Sequence, residues 1–259
     1  MRRTTTMTLA RSLAAALLTC TLLCAADSRT IDKTLPLQPT GSVIIESHNG
    51  SIKVNTWDRP EIDIHARIEM NSGFGFQQDA NRRRFDETSV DIDSIGDSIR
   101  IRSNYPQWDT LRDNNPEIHY TIHAPRTARW TIHDHNSQIE VNDLHAGLSI
   151  STHNSQVIVN GLAGALELDT HNGNARVQFA SFIAASSVQM HNGDVELIMP
   201  ASSKFNLQIS SHNARIPSEF PVMTRNIGHP GASLAGTVNG GGPTLRLNSQ
   251  KWSFRIRAS

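Results

Sequence analysis

The chain has 259 residues with 24 basic and 24 acidic side chains, so its net charge at neutral pH is zero when the 12 histidines are neutral. A balanced chain has no electrostatic reason to bind nucleic acid, whose phosphates attract basic surfaces. The two cysteines, Cys20 and Cys24, both fall in the N-terminal segment. The rest of the chain is therefore expected to lack disulfides and thiolate metal sites.

Residues 1–26 have the composition of a secretory signal peptide. Three arginines precede a short apolar run over residues 13–23, and two alanines offer a cleavage site. The apolar run is shorter than the roughly 20 residues that a membrane-spanning helix needs. Neither cysteine follows the small residue of a lipoprotein signal, so plain cleavage is favoured over a lipid anchor. We expect an exported protein, periplasmic or extracellular, without a transmembrane span after cleavage and with 21 basic against 24 acidic residues, a net charge of −3.

Residues 27–40 are expected to form a short, poorly ordered lead, and residues 41–259 a single domain built from a repeat. The repeat centres on a His-Asn dipeptide whose last five copies are 18, 18, 20 and 21 residues apart. A short and nearly constant period is typical of one small unit stacked on itself. The six copies begin at His48, His135, His153, His171, His191 and His212.

Apolar and polar residues alternate on both sides of each dipeptide, which predicts one half-buried strand before it and another after it. In the first copy, Val43 and Ile45 precede the dipeptide, and Ile52 and Val54 follow it. Asparagine and glycine tolerate positive φ and therefore favour a corner between the two strands. The residues assigned to these corners are Asn49, Gly50, Asn136, Asn154, Asn172, Gly173, Asn192, Gly193 and Asn213.

Two further segments, Val90 to Ile101 and Leu245 to Ile256, keep the apolar spacing without the histidine. In the N-terminal half, extra alternating strands predict units that are wider than the later ones. No segment after residue 26 shows a sustained helical period. Residues 71–89 and 104–116 interrupt the pattern and are expected to be loop insertions.

These features predict an all-β fold, and the constant period favours a parallel β-solenoid with units of about 18–21 residues. Equivalent residues of successive units would then lie about 4.8 Å apart, so that each inward position meets its own kind. A meander of hairpins is the alternative, because Asn-Gly is also a strong hairpin signal.

The segment from Gly41 to Val54, followed by Trp57-Asp58, resembles the opening of the DUF4097 family of bacterial putative adhesins. The Asn-Gly corners between short strands also match those of the family, and the segment from Asn239 to Leu247 resembles the C-terminal end of its sequence pattern. The resemblance covers roughly residues 41–257. It implies a β-helix-like fold in an exported protein. It implies little chemistry, because no catalytic residues carry over. The chain departs from the family in placing histidine before asparagine in six copies.

In a solenoid the residue before each histidine points inward, so the histidine points outward. The resulting external file would contain His135, His153, His171, His191 and His212. Neutral imidazoles bind Zn²⁺, Cu²⁺ or Ni²⁺, which makes these five residues candidate metal ligands. Against that role, no carboxylate or thiolate recurs beside them, and simple stacking of the rings is the competing interpretation. Repulsion between charged rings would lower their pKa and make the fold less stable in acid.

Carboxylates give the second candidate site. Asp91 and Asp93 could act as the paired acids of a polysaccharide-cleaving enzyme, which stand about 5 to 10 Å apart. However, both alternate with Val90 and Ile92, as ordinary solvent-facing strand residues do. The chain has no nucleophile elbow, phosphate-binding loop, dinucleotide fingerprint or His-Glu-x-x-His motif.

Aromatic residues in the two insertions give the third candidate site. Phe74 and Phe76 lie in the first insertion, and Tyr105 and Trp108 lie in the second. Long loops on a rigid scaffold often carry binding residues, and aromatic rings there could stack on sugars or dock a partner. The alternative is that the four rings fold back and cover the solenoid.

Taken together, the sequence predicts a non-enzymatic exported repeat protein that needs no cofactor and offers an adhesin-like structural or binding surface in the bacterial cell envelope. Its partner would be an envelope glycan or another envelope protein. Two alternatives stay open: a polysaccharide-acting enzyme or carbohydrate-binding solenoid, and a periplasmic metal-binding protein that uses the histidine file.

Overall fold

The computed structural model describes residues 27–70, 77–106, 115–211, 218–226, 233–249 and 254–259. These ranges consist mainly of β-strands with one helix, α1 (Gln77–Glu87), so the prediction of an all-β fold is confirmed. The strands are β1 (Asp27–Pro36), β2 (Ser42–Glu46), β3 (Asn49–Trp57), β4 (Glu61–Met70), β5 (Ser89–Ile95), β6 (Ser98–Asn104), β7 (Glu117–Pro125), β8 (Arg129–His133), β9 (Asn136–Asn142), β10 (Leu148–Leu162), β11 (Leu166–Phe179), β12 (Ser186–Asn192), β13 (Val195–Met199), β14 (Phe205–Ser211), β15 (Met223–Asn226), β16 (Ser233–Val238), β17 (Thr244–Ser249) and β18 (Phe254–Ala258).

Strands of successive repeat units pair in parallel and form two ladders. The strands that precede the corners pair in the order β6–β2–β8–β10–β11–β12–β17–β14. The strands that follow the corners pair in the order β7–β3–β9–β10–β11–β13–β18. β10 and β11 run through the corner without a break and belong to both ladders. A meander of hairpins would instead pair consecutive strands antiparallel.

The sheet as a whole is mixed, because antiparallel strands flank the parallel ladders. β5 pairs antiparallel with β6, β4 with β7, and β1 with β4. At the far end of the first ladder, β16 lies antiparallel between β14 and β15. Parallel pairing therefore holds for the repeat units and not for the outer strands.

The repeat units do not follow one another in chain order. In the stack, β2 and β3 lie between the pair β6–β7 and the pair β8–β9. In the chain, β6 and β7 come after β2 and β3 and directly before β8 and β9. Likewise β17 lies between β12 and β14. The C-terminal strands are therefore inserted into the stack and do not extend its end.

Inward-facing residues of equal register make continuous apolar files. None of the residues in the two files named below is more than 1% exposed. Burial of each such side chain stabilises the fold by about 1.5–3 kcal/mol relative to exposure, so the files form the core. One file, three positions before the corner histidine, contains Ile45, Ile132, Ile150, Leu168, Val188 and Leu247. The other, after the corner, contains Val54, Val141, Val159, Val177, Leu197 and Ile256.

The N-terminal lead and the first insertion differ from their predictions. Residues 27–40 contain β1, which pairs with β4 along its whole length, and Leu37 behind it is 2% exposed. The first insertion contains α1, which buries Phe85 beneath the guanidinium of Arg29. With Phe85 as its main apolar anchor, α1 is too polar to show a helical period in the sequence. α1 is the one helix in the described ranges, and it is neither long enough nor apolar enough to cross a membrane.

The segment from Val90 to Ile101 forms a hairpin and not the predicted corner unit. β5 and β6 pair antiparallel around Gly96, which has a φ of 58°. A two-residue connection with positive φ brings the chain straight back beside itself, whereas the His-Asn corners send it onward. Of the second insertion, residues 107–114 lie outside the described ranges.

Candidate functional site

The corner histidines of five units form one continuous stack, here named the histidine column. Neighbouring ring centroids are 4.6–4.8 Å apart, and neighbouring ring planes lie within 20° of parallel. This spacing equals the distance between hydrogen-bonded strands, so the backbone register imposes it. Along the column the rings follow the order His48, His135, His153, His171 and His191.

Strand alternation aims the column outward. The residues that precede three of the histidines, Thr152, Thr170 and Met190, are 7%, 2% and 2% exposed and point into the core. Because successive side chains of a strand point to opposite faces, the imidazoles lie on the exterior. The column therefore runs along one outer edge of the stacked units, where the two ladders meet.

A file of asparagines runs beside the column. The side-chain amide of each asparagine donates to the carbonyl oxygen of its neighbour, at 2.8 Å for the Asn154–Asn136, Asn172–Asn154 and Asn192–Asn172 pairs. Asn49 lies opposite Asn136 in the strand register. These bonds satisfy polar groups at a bend where the backbone changes direction, so the asparagines hold the corner geometry.

Three corners require glycine. Gly50, Gly173 and Gly193 have φ values of 124°, 140° and 130°. A Cβ on these residues would lie 2.2, 1.9 and 1.6 Å from a carbonyl oxygen of the neighbouring unit. No side chain fits at such distances, and L residues rarely adopt such φ values. Asn213, the remaining residue assigned to a corner, lies outside the described residues.

The inner side of the corner is held by Asp134. Its carboxylate accepts hydrogen bonds from the backbone N–H and the hydroxyl of Ser137, at 2.7 and 2.5 Å, and from the hydroxyl of Ser155 at 2.8 Å. Thr152 adds a longer bond of 3.4 Å. Asp134 thus joins two adjacent units next to the column.

Tyr105 closes one end of the column. Its ring meets His48 edge-on at 5.6 Å, and its hydroxyl donates to the carbonyl of Asn49 at 3.3 Å. Burial raises the pKa of Tyr105 well above its ordinary value, so the hydroxyl stays protonated. The structure therefore gives Tyr105 a contact within the fold, while Phe74, Phe76 and Trp108, the other aromatic candidates, lie outside the described residues.

The column differs from the predicted file at both ends. His48, which the file omitted, stacks on His135, because β2 pairs with β8 despite the long insertions between them. At the other end, Met190 pairs with Ser249 and Ser249 with Ser211. The strand that leads to His212 is thus two strands away from that of His191. His212 itself lies outside the described residues.

The stacked geometry does not suit a shared metal ion. Imidazole nitrogens carry their lone pairs in the ring plane, so these point sideways out of the stack and not into the space between rings. Two nitrogens that bind one metal ion at about 2.1 Å each can be no more than about 4.2 Å apart. The ring centroids of the column are farther apart than this, at 4.6–4.8 Å. Within the described ranges, no three His, Cys, Asp or Glu side chains converge as a metal site.

The central ring of the column has a perturbed proton affinity. Partial desolvation within the stack, together with repulsion from His135 and His171, lowers the pKa of His153. Folding therefore shifts His153 toward its neutral form.

A second polar cluster, which sequence reasoning missed, lies on the face of the second ladder. The hydroxyl of Ser51 is 2.9 Å from His119 Nδ1, and His119 Nε2 is 3.5 Å from Glu69 and 3.4 Å from Glu117. The order serine, histidine, carboxylate is that of an activated nucleophile. However, β3 is paired with β7 on one side and β9 on the other, so the amides near Ser51 are not free to stabilise an oxyanion.

The carboxylates singled out in the sequence are exposed on β5. Asp91 lies opposite Arg102 and accepts a hydrogen bond of 2.7 Å from the side chain of Asn104, and Asp93 lies opposite Arg100. Opposite charges across neighbouring strands are a common stabilising arrangement of exposed sheet surfaces. The surroundings of Asp91 and Asp93 are therefore those of ordinary cross-strand pairs.

Comparison with known proteins identifies a family. The family model described as Toastrack DUF4097 matches residues 4–226. The fold is similar to a putative cell adhesion protein from Clostridium sporogenes, with 8% identity, a TM-score of 0.47, and coverage of 89% of this chain and 100% of the other. It is also similar to a putative adhesin from Bacteroides fragilis, with 9% identity, a TM-score of 0.36, and coverage of 89% and 97%. No curated protein matches the sequence.

Proposed function

The chain belongs to the DUF4097 family, and from this membership and the geometry of its repeat units we propose that it is a non-enzymatic, exported β-solenoid with an adhesin-like structural or binding surface. The observation that carries the proposal is the in-register repetition of outward-facing polar side chains. The asparagine file and the histidine column each repeat one chemical group at the strand spacing. Such a surface can meet an extended partner at many equivalent points.

The solenoid interpretation rests on the two parallel ladders. Most units contribute one strand to each ladder, and the inward-facing residues of both ladders belong to one apolar core. The antiparallel outer strands lie at the ends of the ladders, the place that capping elements take in repeat proteins.

The surface also offers an open groove on the first ladder. The groove has a volume of about 510 Å³ and crosses the first ladder between Arg129 and Arg246. Its floor includes Ser149, Glu167 and Ser187. Hydroxyl, carboxylate and guanidinium groups in a row can form hydrogen bonds with a glycan of the cell envelope, which is the partner we propose. The signal-peptide composition of residues 1–26 supports placing this surface outside the cytoplasm.

Co-sedimentation with isolated cell-envelope fractions tests this function. The purified chain should sediment with a glycan-containing envelope fraction and release no reducing sugar from it. Ser187→Trp, which fills the groove, should lower the bound fraction at least fivefold. Gln189→Trp is the matched control, because it places the same side chain two residues further along the exposed face of β12. A chain that sediments with no envelope fraction contradicts the proposal.

A hydrolase is the second candidate, and the Ser51–His119 contact is the observation that favours it. The same envelope fractions serve as substrate in an assay for released sugars and acids. Ser51→Ala would abolish turnover by a serine nucleophile. Asp91→Asn and Asp93→Asn would abolish turnover by paired carboxylates. Turnover that any of these substitutions removes would replace the non-enzymatic proposal.

A further inference from the structure

We propose that the histidine column is an anion-binding strip which acid switches on, and that its ligand is a linear, phosphate-bearing polymer lying along the corner of the stacked units. The site rests on the geometry of the column and does not require the adhesive role proposed above. It differs from a metal site in its protonation state, because metals need neutral rings and anions need charged ones.

The geometry of the column fits a row of anions. Five rings with centroids 4.6–4.8 Å apart span about 19 Å from His48 to His191. A protonated imidazole has two N–H donors, both in the ring plane, so its donors point sideways out of the stack and not at the neighbouring rings. Hydrogen bonds from charged donors to phosphate are short and strong. The ring N–H groups of the column cannot converge on one metal ion. They can instead donate hydrogen bonds to a ligand that carries repeated anionic groups.

Most of the other charges near the column lie beside rings other than His153, its central ring. Tyr105, which faces His48, is uncharged, and so is the asparagine file. Glu46 is paired with Arg100 and Arg102, and the carboxylate of Asp134 is held by hydroxyls at the inner corner. No charged residue lies within three positions of His153. The charged or titratable residues within three positions of the other rings are Glu46, His133, Asp134, Asp169 and Asp194.

Protonation and binding are coupled in this arrangement. Charging neighbouring rings at these distances is opposed by their mutual repulsion. Desolvation, together with repulsion from His135 and His171, lowers the pKa of His153. A polyanion bound to the strip offsets the repulsion between charged rings. Binding of the polyanion should therefore promote proton uptake by the rings, and acid should in turn promote binding of the polyanion. Without protonated rings the column lacks this attraction.

Calorimetry of the purified chain with inorganic polyphosphate tests the proposal. At constant ionic strength we expect at least tenfold tighter binding at pH 5.5 than at pH 7.5, with little binding of inorganic phosphate at either pH. The double variant His153→Gln/His171→Gln should lose most of this gain. His65→Gln is the control, because His65 is an exposed histidine that pairs with Asp32 away from the column. Affinity that does not change with pH, or a gain that the double variant keeps, overturns the proposal.

Proton NMR of the unaltered chain gives a second readout that does not depend on the folding of the variants. Saturating polyphosphate should move the titration midpoint of His153 upward and leave that of His65 in place. An unchanged midpoint for His153, or an equal movement of both residues, contradicts the proposal, because a ligand of the column must change the proton affinity of its central ring.

Discussion

Gly173→Ala tests whether the corners depend on close backbone contact between units. A Cβ at residue 173 would lie 1.9 Å from the carbonyl oxygen of Ser155, and the φ of 140° is one that alanine rarely adopts. Backbone strain of this kind costs about 1–3 kcal/mol. Moving the corner away would also break the bonds of Asn172 to Asn154 and to Asn192, each worth about 1 kcal/mol. We therefore expect Gly173→Ala to lower the free energy of unfolding by about 3–5 kcal/mol.

The assay is urea unfolding of the purified variant, followed by circular dichroism, with a thermal melt beside it. For a chain of this size, about 2–4 °C of melting temperature is lost per kcal/mol, so the melt should fall by roughly 10 °C. Gly96→Ala is the control. Gly96 also has positive φ, at 58°, but a Cβ there would meet no heavy atom within 4 Å. Gly96→Ala should lower the free energy of unfolding by only about 1 kcal/mol.

Equal losses for Gly173→Ala and Gly96→Ala would refute this reasoning, because they would leave φ as the only cause. A loss below about 1 kcal/mol at Gly173 would mean that the corner has rearranged. Ser155, which occupies the same register in the next unit, is not among the residues of positive φ and shows the conformation that such a corner could adopt.

Three further predictions follow from the files. Val159→Ala should cost about 2–3 kcal/mol in urea unfolding, since Val159 is fully buried, whereas the outward-facing Ile158→Ala should cost less than about 1 kcal/mol. Asn154→Ala removes the bonds to Asn136 and Asn172 and should cost about 1–2 kcal/mol in the same assay. The melting temperature should fall as the pH is lowered from 7.5 to 5. The pKa of His153 is lower in the folded protein than its ordinary value of about 6.5, so below that pH the unfolded chain binds the proton more tightly and is stabilised relative to the fold. His153→Gln should reduce that fall, and an unchanged slope would count against repulsion within the column.

The repeat unit could be predicted from the sequence because its signals are local. Alternation of apolar and polar residues around each dipeptide determined the inward positions, and Ile150, Leu168 and Val188 are buried as expected. The outward direction of the histidines followed from the same alternation. Residues without such periodicity could not be placed, and Ser51 and His119 are 68 residues apart in the chain. Only the pairing of β3 with β7 brings them together, and nothing in either local sequence indicates that pairing.

The order of the units could not be predicted, because a period describes each unit and not its neighbours. Parallel pairing of β17 with β12 satisfies the same backbone groups as pairing of β14 with β12 would, and both strands carry leucines at the inward positions. What separates the two arrangements is the chain connection. β15 and β16 return antiparallel beside β14, so β14 takes the outer place and leaves the inner one to the C-terminal strands.

This order determines the length of the histidine column. Ser249 takes the place after Met190 in the stack, and the residue that follows Ser249 in the sequence is Gln250. In the part of the chain that the structure describes, the contiguous series of histidines ends at His191. At the other end, the side chain that meets His48 is Tyr105, which cannot take up a proton. Among the described residues, the strip that acid can charge is thus five rings long, although six dipeptides occur in the sequence. A polyanion much shorter than about 19 Å would leave charged rings uncovered, so affinity in acid should rise with polymer length and level off once the column is spanned.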